Sequence, residues 1–95
     1  MKYFNWNNDK NEKLREKRGV SFEEVVLAIE QGQLLDILEH PNKNKYDNQN
    51  IFVIKLYNYV WLFPFVEDEN EVFLKTIIPS RKATKKYLRG GKDND

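Results

Sequence analysis

Between residues 51 and 78 the chain runs through three apolar-rich stretches, 51 to 56, 59 to 66 and 71 to 78, separated by short polar breaks. That pattern predicts three antiparallel strands. If Tyr57 and Asn58 form a two-residue turn, Leu56 stands opposite Tyr59, Lys55 opposite Val60 and Ile54 opposite Trp61, because directly paired residues share a face. One face then carries Phe52, Ile54, Leu56, Tyr59, Trp61, Phe63 and Phe65. With Glu67 to Asn70 as the next turn, Leu74 and Thr76 join that aromatic face, and Phe73, Lys75 and Ile77 join the opposite one.

Upstream, Tyr3 to Trp6 alternates weakly and reads as a short strand. The oxygens of Asn7, Asn8 and Asp9 can cap a helix that runs to about Arg18 and ends at Gly19. Leu14 is its only strongly apolar residue, so this helix should lie largely on the surface, supported by charge pairs such as Asp9 with Lys13. Ser21 and Glu24 form the S-x-x-E capping box, and Val20 can close a hydrophobic staple on Val25. Phe22, Val25, Val26 and Ile29 then make one stripe, with Gly32 at the C-terminal cap, for a helix over about 22 to 31. Leu34 to Glu39 reads as a further strand and His40 to Asn50 as a polar loop. Ser80 can cap a last helix from Arg81 to about Arg89, and residues 90–95 form a tail expected to fray.

These elements predict a single α+β domain over residues 1–95. Its small, mainly antiparallel sheet would have two N-terminal helices packed on one face and a short C-terminal helix. The aromatic face has no charged member and should meet helix 22 to 31. The other face places Lys55 and Lys75 near each other across the central strand, where two ammonium groups would be costly to bury unpaired. That face should therefore be partly open to solvent or to an anion. Two readings of the pair stand side by side: charges that keep a sheet edge from aggregating, or an anion site.

Composition narrows the class. Six Phe, five Tyr and two Trp in 95 residues supply the burial that a short chain needs. The absence of cysteine removes disulfides and thiolate chemistry and fits a reducing compartment. No apolar run resembles a secretory segment or a membrane span, so a cytoplasmic protein is expected, with no membrane partner. One His and no Cys leave no structural zinc set. The run Glu67, Asp68, Glu69, Glu71 reads as a solvated turn rather than a cation site. No cofactor or metal is expected, and no phosphate-binding glycine loop or nucleophile elbow is present.

The net charge of +1 hides a strong asymmetry. Lys75, Arg81, Lys82, Lys85, Lys86, Arg89 and Lys92 fall in residues 75–92 without an acid among them, and the rest of the chain is mildly acidic. A basic cluster of this kind attracts phosphate-rich partners. Arg81, at the first turn of the last helix, combines a bidentate phosphate ligand with the positive end of a helix dipole; a surface salt bridge is the alternative. Ala83 and Tyr87 share the side of that helix expected to be buried. Lys82, Lys85, Lys86 and Arg89 are left for nucleic-acid contacts or for an ordinary solvated face. His40 is the only side chain of a type whose unperturbed titration lies near neutral pH, and it is a candidate general acid or base, or an incidental loop residue. Tyr46, Tyr57 and Tyr87 could meet RNA or simply be buried with satisfied hydroxyls.

The order of segments carries a resemblance. A short strand with Trp, a polar helix, R-G-V-S-F-E-E-V, a three-stranded meander and I-I-P-S-R-K-A-T-K-K-Y together resemble the BrnT toxins of bacterial toxin-antitoxin pairs, in the wider RelE/ParE-like group. Its sharpest pieces are Gly19 to Val25 and Ile77 to Thr84. Arg18 stands where the family often has His, Pro79-Ser80 replaces Ser-Ala, and Lys75 occupies a common Arg position. The resemblance implies a metal-independent ribonuclease that cleaves mRNA and stops translation. It would be held inactive by an antitoxin encoded in an adjacent gene, and the pair would bind its own operator DNA. Arg81, Lys75 and His40 would then be the catalytic candidates, and Lys55, Lys82, Lys85, Lys86 and Arg89 the RNA-binding ones. A ParE-like toxin that blocks a topoisomerase and a nucleic-acid or protein-binding module without chemistry are the other readings.

Overall fold

The computed structural model describes residues 2–39 and 49–88. They form β1 (Tyr3–Asn5), α1 (Asn8–Arg18), α2 (Phe22–Glu30), β2 (Leu34–Glu39), β3 (Gln49–Leu56), β4 (Tyr59–Glu67), β5 (Glu71–Leu74), β6 (Ile78–Pro79) and α3 (Arg81–Leu88). One sheet has the order β1-β5-β4-β3-β2, with β6 also paired to β4. Only the β1–β5 pairing is parallel among these strands. The class is α+β with a mainly antiparallel sheet. No helix of the described residues is long and apolar enough to cross a membrane.

The hairpin β3–β4 closes through Tyr57 and Asn58, both at positive φ (55° and 60°), the geometry of the primed two-residue turn whose twist matches the strands. Its register pairs Leu56 with Tyr59, Lys55 with Val60 and Ile54 with Trp61, as the alternation predicts. A bulky side chain in the left-handed region costs about 1–2 kcal/mol. The Tyr57 hydroxyl donates to the Glu24 carboxylate in the first turn of α2, which ties the hairpin tip to that helix. Residues 40–48, within the expected loop, lie outside the described residues. Gln49 and Asn50 belong to β3 instead, because they pair with Val66 and Phe65.

The third expected strand is broken. Lys75 N–H donates to the Pro64 carbonyl at 2.8 Å, and Ile78 lies opposite Leu62, so residues 75–78 run beside only 62–64 of β4. Pro64 offers no N–H to this edge, and the ladder bulges beside it. The extra residue reverses the alternation: Ile77, expected on the face of Lys75, is 1% exposed and sits in the core with Phe22 and Leu74.

That core joins Phe52, Ile54, Phe63, Phe65 and Leu74 of the aromatic face to Leu14, Val20, Phe22, Val25 and Ala28. Phe52 and Phe65 stack with centroids 3.9 Å apart. Ala28 takes the central place on α2, and Val26 and Ile29 of the expected stripe pack at its margin. The capping box of Ser21 and Glu24 is formed. At the other end Gln33 N–H reaches the Ala28 carbonyl and Gly32 N–H the Ile29 carbonyl, a Schellman closure that requires the positive φ of Gly32.

On α1, Asn7 caps the first turn and Gly19 (φ 72°) ends the last. The expected Asp9–Lys13 pair gives way to Arg15, which pairs with Glu12 and Glu23. The helix is held less by charge than by Asn11, which is 2% exposed. Its Oδ1 accepts from Phe22 N–H at 2.8 Å and its Nδ2 donates to Glu23 at 2.7 Å. One buried amide thus joins α1 to the first turn of α2, and chiefly through that bond the Glu23 carboxyl is held below its ordinary range. A depressed carboxylate stabilises the fold above its unfolded range, and this contribution is lost as pH falls through its lowered value. Asn11→Ala is expected to cost about 1–3 kcal/mol in urea unfolding at neutral pH, because Phe22 N–H is left buried without a partner. Glu23 should then titrate closer to an ordinary glutamate by NMR.

Candidate functional site

The second sheet face is covered at its centre rather than open. Val53 and Val60 are both 0% exposed, and α3 is what lies over them. Lys55 pairs with Val60 and Lys75 bonds to Pro64, so the two lysines do share this face. They do not meet. Their partners lie four positions apart on β4, about 13 Å along the strand, and two strand spacings of about 5 Å separate them across it.

The placement of α3 follows from backbone hydrogen bonding at Val60. In the narrow hairpin Tyr59 pairs toward β3, so the N–H and C=O of Val60 point the other way, toward β6. Ser80 N–H satisfies the carbonyl at 3.1 Å. The chain turns into α3 immediately afterwards, which leaves the buried N–H of Val60 without a strand partner. Thr84 Oγ1 accepts it at 2.8 Å and donates to the Ser80 carbonyl at 2.7 Å. Ser80 Oγ in turn accepts from Ala83 N–H at 3.0 Å, the expected cap.

With Thr84 directed into the protein, Arg81, Lys82, Lys85 and Lys86 are all exposed, and Ala83 and Tyr87 are half-buried as their spacing predicts. The cations divide between two sides. Arg81 and Lys85 border a cavity of about 560 Å³ with Asn58, Tyr59 and Thr84, at the hairpin tip. Lys82 and Lys86 border a smaller one, about 210 Å³, floored by Leu38, Val53 and Leu62. There the Tyr87 hydroxyl donates to Asp36 of β2 at 2.8 Å, and Lys86 Nζ lies 5.2 Å from the Tyr87 ring centroid. Burial and then the bond to Asp36 push the Tyr87 phenol up. The same bond, more than the nearby Lys86, holds the Asp36 carboxyl down. Tyr87 is thereby engaged as a donor and made a weaker acid, which makes it a poor source of phenolate at neutral pH.

Lys75 belongs elsewhere. It borders a cavity with Phe73 and the first turns of α1, which Arg81 does not line. The expected joint pocket of Lys55, Lys75 and Arg81 is therefore not assembled. Arg81 gathers Lys85 instead, because the bulge beside Pro64 and the short β6 carry α3 to the hairpin end of the sheet. His40, Tyr46 and Arg89 lie outside the described residues. Among the described residues no cluster of His, Asp and Glu could hold a metal ion. Sequence reasoning passed over Thr84, whose signal was a lone hydroxyl beside Ala83 on the inner side of a basic helix. It also passed over Lys10 and Lys13, spaced i, i+3 on α1.

No family model, curated protein or solved structure matches this chain.

Two outcomes check the anchoring of α3. Thr84→Val, which keeps the shape but removes the acceptor, should cost about 1–3 kcal/mol and speed amide exchange across residues 81–88; unchanged exchange would contradict the anchor. Tyr87→Phe should raise the titration midpoint of Asp36, followed by NMR of its carboxyl carbon, since the bond that favours the carboxylate is gone. The acid-side loss of stability tied to Asp36 should then begin at higher pH.

Proposed function

We propose that this chain is an RNA-binding protein that grips the phosphate backbone along α3 and acts as the toxin of a bacterial toxin-antitoxin pair, cleaving mRNA without a metal. The observation that carries this reading is the exposed set Arg81, Lys82, Lys85 and Lys86 on a helix pinned to the sheet by Thr84. A fixed cationic helix pays little ordering cost on meeting a polyanion. Arg81 is the phosphate ligand in the first turn, where the helix dipole adds to its charge. Lys85, one turn on in the same cavity, offsets the charge that builds on the phosphate in the transition state.

The toxin assignment takes over from the BrnT resemblance the helical arrangement of the RelE/ParE-like group, with two N-terminal helices packed on one face of the sheet and a short C-terminal helix. It also takes over the partner, an antitoxin encoded in the adjacent gene, through which the pair would bind operator DNA in the cytoplasm. Binding without cleavage is the second reading. It is favoured by the lining of the Arg81 cavity, where among the described residues Asn58, Tyr59, Thr84 and Lys85 include no carboxylate or imidazole to serve as a base.

Purified protein should retain single-stranded RNA with an affinity that falls with salt. Four phosphate contacts give a slope of about −3 in log K against log salt. Arg81→Ala with Lys85→Ala should flatten that slope by about 1.4. Expression should arrest growth, Arg81→Ala should relieve the arrest, and RNA should be cut in the presence of a chelator. Retention of intact RNA would select the non-catalytic reading; no salt-dependent retention would overturn both.

A further inference from the structure

We propose that the cavity between the start of α1 and the residues that follow β5 is a nucleotide-binding site, separate from α3. Its ligand is a base carrying a phosphate, either free or as one unit of an RNA strand. The cavity measures about 520 Å³ and is bordered by Asn7, Asp9, Lys10, Lys13, Phe73 and Lys75. That volume falls within the roughly 300–1,000 Å³ of small-molecule sites.

Three lysines, two from the first turns of α1 and one just after β5, line this cavity with one carboxylate, Asp9, among the described residues. Among the described residues none of the three lysines makes an ion pair. The pairing of α1 is directed away from the cavity, since Glu12 and Glu23 are taken by Arg15. Lys10 and Lys13 stand one turn apart on the side of α1 that faces Lys75, while Asn11 and Leu14 occupy its buried side. Asn7 is already engaged, its Oδ1 accepting from Lys10 N–H at 3.0 Å, and this fixes the turn that carries the cations. Three cations against one carboxylate leave a net positive field at the cavity, which an entering phosphate would neutralise.

The aromatic component comes from Phe73. Its ring is half-buried at the cavity, and Lys75 Nζ stands 5.9 Å from its centroid. An aromatic face bordered by cations is what single-stranded nucleic-acid sites use: the ring stacks a base of any sequence and the cations hold its phosphate. Phosphate alone would use only the lysines. A nucleotide uses both, so the chemistry favours a nucleotide over a bare anion.

The test is calorimetric titration of the full chain with AMP, with inorganic phosphate and with a short single-stranded oligoribonucleotide. Saturable binding of AMP, at least about tenfold tighter than phosphate, is expected from stacking. Binding by the oligonucleotide alone, if it persists in Arg81→Ala with Lys85→Ala and is weakened by the cavity variants below, would identify the site as one for a unit within a strand; binding by both would show that a free nucleotide suffices. Lys13→Gln with Lys75→Gln should weaken AMP or the oligonucleotide about tenfold, and Phe73→Leu should weaken either by a similar factor without altering phosphate. Lys17→Gln, on the same helix but not at the cavity, should change it less than about twofold. Thermal unfolding of each variant separates loss of the site from loss of the fold. No saturable binding of either ligand, equal affinity for AMP and phosphate with no oligonucleotide binding, or indifference of the folded variants would overturn the proposal. Since AMP need not touch α3, those failures are distinct from failure of the α3 reading.

Discussion

One buried amide governs where the cationic surface of α3 lies. The N–H of Val60 faces away from its hairpin partner at a point where the chain beside it has already left the sheet. A buried N–H without an acceptor costs a few kcal/mol, on the order of 1–3, which is a large share of the stability of a small domain. Thr84 supplies the acceptor from α3 and spends its own proton on Ser80. The rotation of α3 about its axis is set by that contact. Once Thr84 points inward, Arg81, Lys82, Lys85 and Lys86 have to point outward or to the flanks.

The same accounting explains the two faces of the sheet. The aromatic face buries its residues against α2, and the capping box and Schellman closure define both ends of that helix. The second face is divided between apolar contact with α3 at Val53 and Val60 and cationic cavities on either flank. A sheet clothed on both sides in so short a chain leaves little unassigned apolar surface in its centre. The exposed apolar side chains include Ile37 (52%) and Leu38 (38%) at the β2 edge, Leu27 on α2 and Ile78 on β6.

Much of the scaffold was legible in sequence because its determinants are local. The turn at Tyr57-Asn58, the register that follows from it, the Ser21–Glu24 box and the Ser80 cap each depend on residues within a few positions of one another. What could not be read depended on distant backbone needs. The bulge arises because Pro64 lacks a donor on the edge used by residues 75–78, and this single irregularity moved Ile77 into the core. Asn11 reads as one more polar residue on a polar helix until the Phe22 N–H it satisfies is known. The convergence of Lys55, Lys75 and Arg81 failed for the same reason. Sharing a face fixes parity but not distance along the strand, and the break after β5 sent Lys75 toward α1 and Arg81 toward the hairpin tip.

The central claim is that pinning α3 through Thr84 turns its cationic side into the surface that meets RNA. The most direct measurement is an NMR titration of isotopically labelled protein with a short single-stranded RNA, read at every backbone amide. Saturable shifts gathered on residues 81–88 and the hairpin tip 57–60, with α2 unmoved, are the predicted result. Shifts centred on α2, or none at all as RNA is raised to millimolar concentration, would contradict it.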